Sequence, residues 1–201
     1  GAVDTGITGE VLTVSTIGSF NDQNAGPRKV NTTSTLGNGT GGLATNYTLN
    51  NATNAVDATI TQKTLSIIGS IVTDKTYDGE RAATVTAGSL NGLVTVNGVT
   101  EVLGTTTASG QFASKDVARN AMSAVTSQDV EVMYTLVNGG SALASNYSLA
   151  DETLQGTITP KALAVAGLTA QNKEYDRLLT ATVTGTAVVD TTGVVGQDQV
   201  S

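Results

Sequence analysis

The 201-residue chain contains no cysteine, no histidine and no tryptophan. Without cysteine there is neither a disulfide framework nor thiol chemistry, and the redox compartment stays open. Without histidine, Ser–His–Asp catalysis and histidine-ligated metal sites are excluded. Charged residues make up only 13% and the formal net charge is −7, so the surface must be built largely of Thr, Ser, Asn and Gly. With no basic patch, nucleic acid and anionic membrane would be repelled. No apolar run is long enough for direct membrane insertion, and no signal segment is present. The chain starts without methionine and stops in mid-pattern, so it reads as a fragment of something longer.

What the sequence does have is Val, Ile, Thr and Gly, while Glu, Lys, Leu and Arg are scarce for a helical protein. β-Branched residues favour a pleated, half-buried surface. Apolar residues alternate at period two from Val11 to Ile17, Thr64 to Val72, Ala83 to Ala87, Val130 to Val137 and Leu154 to Val165. Turn signals separate these runs: Asn38-Gly39, Asp78-Gly79, Asn91-Gly92, Asn97-Gly98 and Asn138-Gly139. The pattern predicts an all-β protein. Ser114–Ala124 has helical propensity, but its counterpart Asp22–Val30 contains Gly26-Pro27, so both are read as loops leading into strands.

One segment is written twice. Lys75, Tyr77, Asp78 and Ala83–Thr86 recur as Lys173, Tyr175, Asp176 and Ala181–Thr184, each 98 residues on. The same offset carries Thr59–Lys63 onto Thr157–Lys161. A period near 100 residues is the size of a small domain rather than of a solenoid coil. Aromatics are only 3% of the chain, yet six of the seven pair off as Phe20/Phe112, Tyr47/Tyr147 and Tyr77/Tyr175, leaving Tyr134 alone. Each ring can bury ~150–250 Å², so the pairs are expected as core anchors. The offset drifts from 91 at Val11/Val102 to 100 at Tyr47/Tyr147, and the length changes belong in surface loops. Two phasings follow. A boundary near Pro160 gives a truncated repeat 1–61, a complete one 62–160 and a truncated one 161–201. A break near Asn97-Gly98 gives 1–98 and 99–201 instead.

Chemistry-bearing clusters are few. Asp151-Glu152 is the only adjacent acidic pair, expected on a loop, and no glycosidase-like pair of carboxylates stands out. No catalytic, cofactor-binding or metal residue is assigned, and no enzyme is expected. Tyr77-Asp78-Gly79 reads as a tight turn in which Asp caps backbone amides, Gly takes a positive φ and the ring packs on the core. Arg177 stands where Gly79 does, which argues against an obligatory positive φ. Asp74 and Asp78 are poor calcium ligands, because that cation takes six to eight oxygens and no Asp-rich loop is present. Lys63, Lys75, Lys161 and Lys173 are expected on exposed or edge strands, where they resist aggregation. The structural motif residues are therefore Lys75, Tyr77, Asp78, Gly79, Lys173, Tyr175 and Asp176.

Lys75-Thr76-Tyr77-Asp78-Gly79 followed by Ala83-Thr84-Val85-Thr86 resembles the YDG repeat domains of filamentous-haemagglutinin-like bacterial adhesins. Phe112–Val117, Leu143–Leu149 and Thr157–Leu163 resemble further stretches of that family, in the same order. The resemblance implies tandem domains in large secreted proteins of Gram-negative bacteria, acting as stalk, spacer or adhesive surface. The expected architecture is an elongated array of Ig-like β-sandwich repeats, or alternatively of small β-grasp-like repeats, with the Thr157–Val165 strand crossing between beads. Expected partners are neighbouring repeats of the same polypeptide and host or matrix glycans or proteins, at the bacterial surface.

Overall fold

The computed structural model describes residues 1–104, 106–196 and 198–199. It is all-β, as the alternation predicts. The strands are β1 (Ala2–Asp4), β2 (Val11–Phe20), β3 (Gly26–Gly37), β4 (Thr53–Ile60), β5 (Lys63–Ile68) and β6 (Ile71–Thr73). There follow β7 (Lys75–Thr76), β8 (Ala82–Thr86), β9 (Ser89–Asn91), β10 (Thr95–Val96), β11 (Val99–Thr100) and β12 (Thr107–Phe112). The last are β13 (Gln128–Thr135), β14 (Tyr147–Leu149), β15 (Glu152–Gly156), β16 (Ile158–Thr159), β17 (Val165–Ala170) and β18 (Val183–Val189). Short 3₁₀ turns lie at Ala44–Asn46, Ala144–Asn146 and Thr191–Gly193.

Two compact units are each assembled from three stretches of chain: Gly1–Ser66 with Asn91–Thr105 and Leu136–Leu149, and Ile67–Leu90 with Thr106–Thr135 and Ala150–Ser201. In the first unit β1, β2, β3 and β4 form an antiparallel meander, and β5 pairs in parallel with β14, Lys63 opposite Tyr147. Its buried apolar side chains are Leu12, Leu65, Leu103, Ala142 and Tyr147. The Asn-Gly-x-x-x-Leu-Ala-x-Asn-Tyr sequence at 38–47 and 138–147 makes the same Asn-anchored turn in both copies. The Asn38 and Asn138 side-chain oxygens accept from the amides of Ala44 and Ala144, both at 2.8 Å. Such an Asx contact offers the backbone a turn in place of a ladder, and a 3₁₀ turn follows each time.

In the second unit an antiparallel sheet runs in the order β15-β13-β12-β8-β6. The sheet curls, and β7 joins β16 in parallel, Lys75 opposite Ile158 and Thr76 opposite Thr159. Phe112, Val130, Val132 and Ile158 are fully enclosed, with Val72, Tyr77, Ala83, Val85 and Leu154 packed around them. Burying side chains of this size stabilises by about 1.5–3 kcal/mol each. Strands β17 and β18 form a separate two-stranded ribbon, Thr169 opposite Thr184 and Ala170 opposite Val183.

Several expectations are corrected. The Thr64–Val72 pattern breaks into β5 and β6 at Gly69, which takes φ +84°. The continuous strand expected over Thr157–Val165 is interrupted, since residues 160–164 carry no strand; Pro160 has no N–H to give a ladder. Glu152 opens β15 rather than lying on a loop, and its carboxylate meets the Tyr134 hydroxyl, which also bonds the Ser70 hydroxyl at 2.6 Å. The Ser114–Ala124 loop is as expected, turned around Asn120, whose side chain accepts from the amides of Met122 and Ala124.

The aromatic pairs do not share one role. Phe112 and Tyr147 are buried, but Phe20 is 45% and Tyr175 88% exposed. Phe112 lies on β12, flanked by β8 and β13. Phe20 lies on β2, which has β3 along one side, while β1 reaches only Val11–Thr13 on the other. Around Tyr175, residues 171–182 carry no strand.

Candidate functional site

The duplicated Lys-x-Tyr-Asp segment forms a corner at the mouth of the second unit's curled sheet. The Lys75 ammonium donates to Asp78 Oδ1 at 2.7 Å, to the Glu80 carbonyl at 2.7 Å and to the Ala82 carbonyl at 3.0 Å. The same Asp78 oxygen accepts from the Glu80 amide at 3.0 Å. The hydrogen bond from Lys75, then the one from the Glu80 amide, holds the Asp78 carboxyl below the usual carboxylate range. Gly79 follows at φ +83°. The Lys75 side chain is only 18% exposed, and its ammonium sits over the Phe112 ring. Lys75 does stand on an edge strand, since β7 has only β16 beside it, but its ammonium is not held out to solvent: its three donors are spent tying the corner together.

The second copy repeats the corner without a core beneath it. Lys173 donates to Asp176 Oδ1 at 2.9 Å and to the Leu178 carbonyl at 2.8 Å, and the Leu178 amide donates to Asp176 at 2.9 Å. The Asp176 carboxyl is lowered by Lys173 in the same way. Arg177 takes φ +64°. The positive φ is thus kept where glycine is absent, contrary to the expectation from the substitution. The lysine and aspartate bonds dictate the turn, and the residue at its apex accepts the strain.

Tyr77 links the first corner to a cleft of about 300 Å³ lined by Val117, Pro160, Leu163, Val195 and Asp198. Its hydroxyl donates to Asp198 Oδ2 at 2.7 Å and accepts from Lys115 at 3.3 Å. The bond to Asp198 raises the Tyr77 phenol, and the bond to Tyr77, then that to Asp116, raises Lys115. Each group is thereby held in its ordinary protonation state at neutral pH, tyrosine neutral and lysine charged. Neither is tuned toward a base or a nucleophile. Asp198 carries no sequence signal, because nothing in the pattern places a residue 121 positions away on Tyr77, and Lys115, though inside the Phe112–Val117 stretch, is not marked there as a partner of Tyr77.

A second, more polar cleft of about 470 Å³ in the first unit includes Asn24, Lys63, Glu101, Asn146 and Tyr147. The Tyr147 hydroxyl accepts from the Val94 amide at 3.1 Å and donates to the Glu101 carboxylate. Burial, then the Glu101 bond, raises this phenol. Asn146 accepts from the Ala25 amide at 2.8 Å and donates to Asn24 at 2.9 Å. These polar groups too are committed to the protein's own chain.

Among the described residues there is no cluster of three potential metal ligands. Asp74 accepts from the Thr157 amide at 2.7 Å, bracing β7 against β16. No helix of the described residues is long and apolar enough to cross a membrane. A YDG domain is detected at residues 61–154. The first corner, with Lys75, Tyr77, Asp78 and Gly79, lies inside the YDG domain, and Lys173, Tyr175 and Asp176 lie beyond it. No curated protein and no solved structure matches the chain.

Proposed function

We propose that the chain is a structural stalk or spacer of a large adhesin, secreted or anchored at a Gram-negative bacterial surface and serving attachment or biofilm. In this reading the YDG domain is one bead of a tandem array of Ig-like β-sandwich repeats, bounded near 62 and 160. Its partners are the neighbouring repeats of the same polypeptide, and it has no catalytic role. The observation that carries the proposal is the Lys-x-Tyr-Asp corner. Built twice, it directs its lysine and aspartate onto its own backbone instead of into a cleft. A feature stamped once per period and spent on local geometry is what a repeated building block needs.

The second reading, direct binding of host or matrix glycans by the repeats, draws on the polar cleft around Tyr147 and Asn146. A glycan array with the purified chain separates the two. The spacer reading expects no saturable binding; reproducible, saturable binding lost on Tyr147→Ala would replace it with the glycan reading.

A further inference from the structure

We propose that this chain folds by the joint between two successive repeats rather than by the repeat, the loop after Phe20 or Phe112 being the surface that receives the next repeat. The proposal rests on the tandem-array reading with boundaries near 62 and 160, and adds to it how one bead is held to the next.

The two clefts are one feature built twice. Asn24, Lys63 and Val96 line the cleft of the first unit, and Asp116, Lys161 and Val194 line that of the second. The loop residues correspond at an offset of 92, the offset of Phe20 and Phe112, and the lysines and valines at 98. In each cleft the loop comes from one repeat, and the lysine and the valine from the repeat that follows it.

Hydrogen bonds cross both boundaries at these clefts. At the first, the Ala25 amide donates to Asn146 Oδ1 at 2.8 Å, and Asn146 Nδ2 donates to Asn24 Oδ1 at 2.9 Å. At the second, the Tyr77 hydroxyl, itself held by Lys115 of the loop, donates to Asp198 at 2.7 Å. A Cβ on Gly79 would come within 2.9 Å of Val195 Cγ1, so the glycine of the corner also makes room for the following repeat. The position is kept while the chemistry changes, amide pairing at one boundary and phenol to carboxylate at the other. Each repeat is thereby fitted to its own neighbour.

The compact units follow the joints. Of the YDG domain at 61–154, the residues up to Ser66, with Asn91–Thr105 and Leu136–Leu149, belong to the unit that holds residues 1–60. Ile67–Leu90, Thr106–Thr135 and the remainder belong to the unit that holds residues 161–201. Each half encloses its own apolar side chains, Leu65, Leu103 and Tyr147 in one, Phe112, Val130 and Val132 in the other. Residues enclosed together open together, and amide exchange in the native state reads such units directly. In an array whose repeats touch only their neighbours, a joint of this kind couples the stability of one repeat to the next.

Amide exchange of the full chain, read by mass spectrometry, tests this. Asn146→Ala removes both bonds at the first boundary and should speed exchange about tenfold in β2, β3, β4, Lys63–Ser66 and β14. Strands β8, β12, β13 and β15 should stay within about twofold of their original rates. Val132→Ala, a smaller cut than Phe112→Ala, should do the reverse: β8, β12, β13 and β15 exchange faster, while Lys63–Ser66 and β14 of the same YDG domain do not. Exchange that rises through 61–154 as one block in either variant overturns the joint as the unit. It leaves the stalk reading standing, which fails instead on saturable glycan binding. A change confined to the neighbours of Asn146, a change spread evenly over the whole chain, or no change at all overturns the proposal as well.

Discussion

The Lys75 ammonium lies 5.6 Å from the centre of the Phe112 ring. The largest of the fully enclosed side chains of the second unit is therefore capped by the lysine that also ties the neighbouring corner. The ammonium is satisfied by a carboxylate and two carbonyls, so the cation–π contact and the hydrogen bonds act together.

Lys75→Met keeps the aliphatic stem and removes the donors. It should destabilise the second unit by about 1–3 kcal/mol, from a few lost bonds and two carbonyls left without their partner. Lys173→Met, on the exposed copy of the corner, should change stability by less than about 0.5 kcal/mol. Urea titration of both variants, followed by tyrosine fluorescence, checks the contrast; equal midpoints would show that the capped ring contributes nothing.

Gly110 faces the enclosed core, where an added methyl carbon would come within 2.5 Å of Val85 Cγ2 and 3.2 Å of Val130 Cγ1. Gly110→Ala is expected to cost about 1–3 kcal/mol through overpacking. Gly140→Ala, which meets open space, should be neutral. Differential scanning calorimetry of the two distinguishes packing from a general intolerance of alanine in strands and turns.

The Asp78 carboxyl is depressed in the folded state by Lys75. Its contribution is present above the unfolded carboxyl pKa of about 4 and is lost as pH falls through the lower folded value. Tm should therefore drop on the acid side of about pH 4, and Asp78→Asn should flatten that limb while lowering Tm at neutral pH. A limb of unchanged slope in the variant would assign the acid sensitivity to other carboxylates.

The Tyr147 phenol is raised by burial and by Glu101. A raised folded pKa contributes stability below the unfolded value of about 10, lost as pH climbs through the folded value. Tyr147→Phe should cost about 1–2 kcal/mol at neutral pH, because the Val94 amide loses its acceptor, and should weaken the alkaline decline. Denaturation midpoints between neutral pH and the alkaline limb measure both effects.

The strands and the corner were legible because they are local. Alternation locates β2, β8 and β13, and Lys-x-Tyr-Asp-Gly is a short segment whose bonds span at most seven residues. What the sequence withheld is long-range. The repeat predicts that Phe20 and Phe112 share an environment, yet burial depends on which strands lie alongside, and β2 and β12 differ there. The apex of the turn misled for the opposite reason: glycine is the usual occupant of a positive φ, but Arg177 is forced into it by bonds on either side. The Tyr77–Asp198 contact and the parallel pairing of β7 with β16 join residues more than 80 positions apart, and no spacing announces them.

That parallel pairing has a mechanical consequence. Lys75–Thr76 lies near one end of the YDG domain and Ile158–Thr159 just past the other, and the two run in the same direction. Pulling the flanking chain outward at both ends drags the partners past each other lengthwise. The rungs Lys75 N to Thr157 O and Tyr77 N to Thr159 O, at 3.0 and 2.8 Å, are then loaded together. A hairpin pulled apart at its open end gives way one rung at a time; here the rungs must rupture simultaneously. Under such traction the pairing of β7 with β16 would act as a latch in shear, holding until its limit and then releasing all at once.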